Sequence, residues 1–213
     1  MNTPTRRHFF RAAAASSLAL APTAFAAETP PEIEENVFGP RPGYSPQIGI
    51  LVSQMTWMRG AVLRPVKGMT QEQLDFLLDA KANRIGALLQ HLAATEKLYQ
   101  LATFDALGVN QLYSSPAFKD WVVPMNLGDP ARQTLKGQNL DFYLTLLQDM
   151  REKTLSEFRK RDDKWLMAVD PKWPWGPTNN LCKWFHVTEH ESHHTGQISL
   201  IKSRVPGAKS ENG

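Results

Sequence analysis

The chain has 213 residues, with 24 Lys and Arg against 21 Asp and Glu, and a single cysteine. The whole formal charge of +3 sits in Arg6, Arg7 and Arg11, because residues 1–26 hold no acidic side chain; the remainder is neutral and offers no basic stripe for nucleic acid or an anionic membrane. One cysteine, Cys182, excludes an internal disulfide, and without a Cys-x-x-Cys-His there is no covalent haem attachment.

Taken in order, Thr5-Arg6-Arg7-His8-Phe9-Phe10-Arg11 has the pattern of a twin-arginine export signal. A short apolar run follows, then Ala24-Phe25-Ala26 as a cleavage site. The run is too short to span a bilayer, so residues 1–26 are expected to be removed near Ala26 and the mature chain to be periplasmic or otherwise exported. Residues 27–44, rich in Pro, Gly and acids, read as an extended linker. Ser45-Pro46 opens a helix with apolar positions at Ile48, Leu51, Val52, Met55, Met58 and Val62, which Pro65 is expected to end. Thr70 caps a short helical piece through Leu78, and a second long helix is predicted from Ala82 to Leu101, with His91 at the edge of its apolar face.

Residues 102–134 are too apolar for a disordered linker and too punctuated for one helix, which predicts a partly structured excursion over the domain. A third long helix follows from Leu140 to Phe158, with Arg151, Glu152, Lys153 and Glu157 read as a solvated face. A loop with Trp165, Trp173 and Trp175 leads into the last helix, Asn180 to Arg204, capped by Asn179 or Asn180, with Leu181, Trp184, Phe185, Thr188, Ile198 and Ile201 at helical spacing. Cys182 is expected to be a small buried apolar residue. The fold class is therefore all-α, a four-helix bundle over residues 45–207 with a tail at 208–213.

The last helix carries four of the six histidines: His186, His190, His193 and His194. Positions four apart lie about one turn, roughly 6 Å, from each other on one face, so His190 and His194 can share one ion, whereas His186 and His194 are roughly 12 Å apart and cannot. A third ligand must come from elsewhere, and outside the signal only His91 is left. His190-Glu191-Ser192-His193-His194 also matches H-E-x-x-H, with Glu191 as a base. A zincin protease ranks low, because the positions that would extend a metzincin motif hold Gln197 and Leu200, and the only later acid is Glu211.

His91-Leu92-x-x-x-Glu96 on the second long helix, and His186-x-x-x-His190-Glu191-x-x-His194-x-Gly196-Gln197-Ile198 on the fourth, resemble the DinB-like superfamily. So do Gly68-Met69-Thr70, Gln73-Leu74 and Asn83-Arg84-Ile85-Gly86, and the similarity spans roughly residues 45–207. The resemblance implies a four-helix bundle with one divalent metal held by His91, His190 and His194. Gln197 falls on the ligand face behind them, Gly196 leaves room for a close neighbour, and His186 and His193 are supporting residues. Superfamily members act as thiol S-transferases, thiol-dependent isomerases and related hydrolases.

The leading expectation is thus an exported enzyme with one Zn, Ni, Fe or Mn ion, working on a small-molecule substrate with a thiol or water as nucleophile. A non-catalytic metal-binding bundle is the second reading. The apolar helix faces are also compatible with a homodimer.

Overall fold

The computed structural model describes residues 35–207. Four long helices dominate them: α1 (Pro46–Val66), α3 (Ile85–Thr103), α7 (Leu140–Phe158) and α9 (Asn180–Lys202). Between these lie short helices α2 (Gln71–Leu74), α4 (Val109–Leu112), α5 (Val122–Asn126), α6 (Gly128–Thr134) and α8 (Asp163–Met167), and a two-residue antiparallel ladder, β1 (Val169–Asp170) with β2 (Thr178–Asn179). The fold is all-α, and no described helix is long and apolar enough to cross a membrane.

The helix ends follow their residues. Pro46 occupies the first turn of α1, and the free amides of Gln47 and Ile48 donate to Oδ1 of Asp163, which also bonds the Ser45 hydroxyl. Asn139 caps α7 through the Phe142 amide, and Asn179 caps α9 through that of Cys182. Thr70 and Gln73 form a reciprocal capping box on α2. That helix ends at Leu74 rather than Leu78, and Pro65 sits inside the last turn of α1 without stopping it.

Two large apolar clusters make up most of the core, and a small third one, Leu101 with Leu112 and Phe118, lies under the excursion. Of the large two, the first contains Val62, Ile85, Leu89, Tyr143, Leu147 and Ile198; the second contains Ile48, Met55, Tyr99, Phe158, Trp184 and Val187. Along α1 and α9 the chain passes from the second cluster to the first, whereas along α3 and α7 it passes from the first to the second. Since α3 and α7 run the same way, the chain must travel back along the bundle between them, and this is the work of the excursion over residues 104–139. Gly86 lets α7 approach α3: a side chain there would sit 2.6 Å from the Tyr143 ring carbon Cζ.

Between the clusters each long helix contributes one buried charge: Arg59, Glu96, Arg151 and Glu191. Arg59 donates to Glu96 and Glu191, Arg151 donates to the same two carboxylates, and the guanidiniums also bond the Leu147 and Met55 carbonyls. Arg151 is therefore not part of a solvated face. Burial pushes the Glu96 carboxyl up, but Arg151 and Arg59 beside it hold it below its ordinary range overall.

Other expectations are corrected on the surface of α9. Cys182 and Phe185 are exposed, because their side of the helix meets only the shallow flank of α1, and Gly196 faces open space rather than a close neighbour. The export signal at residues 1–26 and the tail at 208–213 lie outside the described residues.

Candidate metal centre

α3 and α9 pack against each other and bring His91 to His190 and His194. His190 Nε2 lies 2.7 Å from His91 Nε2 and 3.1 Å from His194 Nε2, so the same nitrogen of all three rings points inward. The other nitrogens explain why. His91 Nδ1 donates to the Pro124 carbonyl at 2.9 Å, and His194 Nδ1 donates to Gln197 Oε1 at 2.8 Å. With the proton held on Nδ1, each of these rings turns an unprotonated Nε2 lone pair toward the cluster. In a tetrahedral site with metal–nitrogen bonds near 2.0–2.1 Å, ligand nitrogens are about 3.3 Å apart; His190 and His194 are near that spacing at 3.1 Å, and His91 and His190, at 2.7 Å, would have to open slightly. The three histidines can hold a metal ion.

Electrostatics keep the rings in the ligating form. Burial, then the neighbouring His194, depress His91 to about 4. Burial, then His91 and His194, depress His190 to about 3, and burial lowers His194 as well. All three are neutral at neutral pH, which is the state that binds a cation.

The supporting residues come from three places. Pro124 belongs to α5 in the excursion, so the connection that returns the chain to α7 also fixes the His91 ring. Gln197 takes its expected place behind His194, and its amide nitrogen lies 3.3 Å from exposed His193, which is not in the triad. His186 Nδ1 meets the Tyr99 hydroxyl at 2.9 Å, and its ring stands between His190 and the exposed Trp175, with centroids 5.1 Å from each. His186, Glu189 and His190 form a second group able to hold an ion, but half of Glu189 is in solvent and His190 Nε2 already faces the triad.

Glu191 is displaced from the role the H-E-x-x-H pattern gave it. Its Oε1 accepts from Arg59 at 2.8 Å and Arg151 at 2.9 Å, on the core side of α9, and it belongs to neither metal-capable group. With this oxygen held by two guanidiniums in the core, Glu191 is engaged in ion pairing and turned away from the triad. Sequence reasoning missed Pro124 and Tyr99. A main-chain carbonyl leaves no mark on residue identity, and Tyr99 reads as one more core aromatic on α3.

Residues 50–207 match the family MST, Mycothiol-S-transferase. The chain belongs to this family, within the DinB-like superfamily. The match covers all four long helices apart from the first turn of α1, and with them the whole histidine triad. No curated protein matches the chain.

Proposed function

We propose that this protein is a metal-dependent S-transferase that joins a low-molecular-weight thiol to a small electrophilic substrate, with one divalent ion on His91, His190 and His194. The observation that carries the reading is the convergence of three neutral Nε2 atoms, two of them with their tautomers set by Pro124 and Gln197. Such an ion, when bound, supplies Lewis acidity that lets a thiol ionise near neutral pH. The protein's own share is to hold the rings in register through the Pro124 carbonyl and Gln197. His186, steadied by Tyr99, and Trp175 together line one side of the approach to His190. With three protein ligands the centre is of the open type, in which positions remain for thiol or water.

Water in place of the thiol would make the same centre a hydrolase. Export would favour that variant, since reduced thiols are scarce outside the cytosol. Activity screens on the metal-loaded protein with and without added thiol separate the two. Titrating the Co(II)-substituted protein with thiols and small anions tests the reading itself: its spectrum should change as the ligand enters. A spectrum indifferent to every added ligand would favour a non-catalytic metal-binding bundle. Export belongs to the proposal too: changing Arg6 and Arg7 to lysine should retain the precursor inside the cell, and normal export of that variant would overturn it.

A further inference from the structure

A cavity of about 820 Å³ lies at the end of the bundle where α3 stops and α9 starts. Its walls are the last turn of α3 with the following chain to Gln111, the segment from Ala168 to Pro174, and Asn180 and Lys183 of α9. This volume suits a small organic molecule. Ala102, Leu107, Val109 and Pro174 give it apolar surface.

Lys183 sets its chemistry. The side chain is 2 % exposed, yet lysine is almost never buried to this degree without a purpose-built partner. Its ammonium donates to Asp170 Oδ2 at 3.0 Å and stands 4.2 Å from the centroid of the Trp173 ring. An ammonium has three donors, and Asp170 takes one of them. The Asp170 side chain is 40 % exposed, so the carboxylate is the wet, exchangeable half of the pair. Lys172 also lines the cavity, which leaves two cations facing one carboxylate. A buried ion pair adds little to stability compared with an apolar residue of the same shape, so stability alone gives no reason for an ammonium in this wall.

We infer that this cavity binds a small organic carboxylate, whose anionic group replaces Asp170 on Lys183 while its apolar stem lies along Ala102, Leu107 and Val109. The site is separate from the triad: Lys183 and His190 are seven residues, about 10.5 Å, apart on α9, with the Trp173 ring packed between Lys183 and Tyr99.

Hexanoate, with uncharged hexanamide as its control, tests this on the metal-loaded protein by calorimetry and by tryptophan fluorescence. Hexanoate should bind saturably and hexanamide should not. Binding should vanish in Lys183→Met and survive in His190→Ala. Asp170→Asn, which removes the internal competitor, should tighten it about fivefold, the equivalent of about 1 kcal/mol for a partly exposed ion pair. Equal binding to Lys183→Met, loss of binding in His190→Ala, or no saturation in either the unaltered protein or Asp170→Asn would each overturn the inference. Should Lys183→Met fail to fold, the hexanamide and Asp170→Asn arms still decide it.

Discussion

Two polar clusters cross the interior of this bundle, and they solve the problem of burial in opposite ways. Arg59, Glu96, Arg151 and Glu191 neutralise one another: two cations meet two anions, one from each long helix, with main-chain carbonyls taking further guanidinium N–H groups. His91, His190 and His194 instead lose their charge, and point their lone pairs at one another. The first arrangement balances its charges within the protein, with only Glu191 Oε2 left unpartnered. The second turns the unprotonated Nε2 atoms of His91 and His194 toward that of His190, an arrangement suited to a cation. The quartet thus ties the four long helices to one another, while the triad is left able to hold an ion.

The largest effect should come from breaking the quartet. Arg151→Ala or Glu96→Ala leaves an uncompensated buried charge and is expected to cost about 3–5 kcal/mol, read by urea unfolding of the metal-free protein. His91→Ala, measured the same way, should cost much less. If the two cost the same without metal, the division of labour between quartet and triad is wrong. Glu191→Gln sharpens the point, since it should lower stability. A variant of full stability that had lost only activity would return Glu191 to the chemistry.

Metal removes the asymmetry. At a free ion concentration about 1,000 times Kd, binding to the folded state alone adds about 4 kcal/mol, so the gain in Tm on loading should disappear in His91→Ala, His190→Ala and His194→Ala and persist in His193→Ala. Equal metal loss from His193→Ala and His194→Ala would mean a different ligand pair. Gln197→Ala releases the His194 ring without removing a ligand and should weaken metal binding about 10- to 100-fold, measured by competition with a chelator.

The comparison also shows what a sequence displays. The triad was legible because i,i+4 spacing on one helix and a shortage of other histidines leave few solutions. The four long helices were legible from their apolar periodicity and caps. The quartet was not: on α7 Arg151 stands among Glu152, Lys153 and Glu157, and nothing in that run distinguishes the one charge turned inward. Glu96 is visible only as part of a motif, and Glu191 is claimed by a stronger pattern, H-E-x-x-H, whose two histidines the fold brings into the triad and whose glutamate it pairs with Arg59 and Arg151. The excursion reads as irregular in the sequence, but its reason is topological. It returns the chain so that α7 can run alongside α3, and the His91 contact it carries comes from the Pro124 carbonyl.

The smallest expected effect is the response of the metal-free protein to acid. His91 and His190 have folded values of about 4 and about 3, below the 6.5 of an exposed histidine, so between these limits the unfolded chain binds more protons than the native one. Stability is then fully present above about pH 6.5 and is lost as pH falls toward the folded values, because native rings would have to be charged side by side. The quartet carboxylate Glu96 has its folded value depressed as well, so it adds a loss in the same direction, but only below the ordinary carboxylate range. Unfolding curves collected from pH 7 to pH 5 therefore isolate the histidines. Their slope should flatten in His190→Ala, and an unchanged slope would mean that the triad's burial does not govern acid sensitivity in this window.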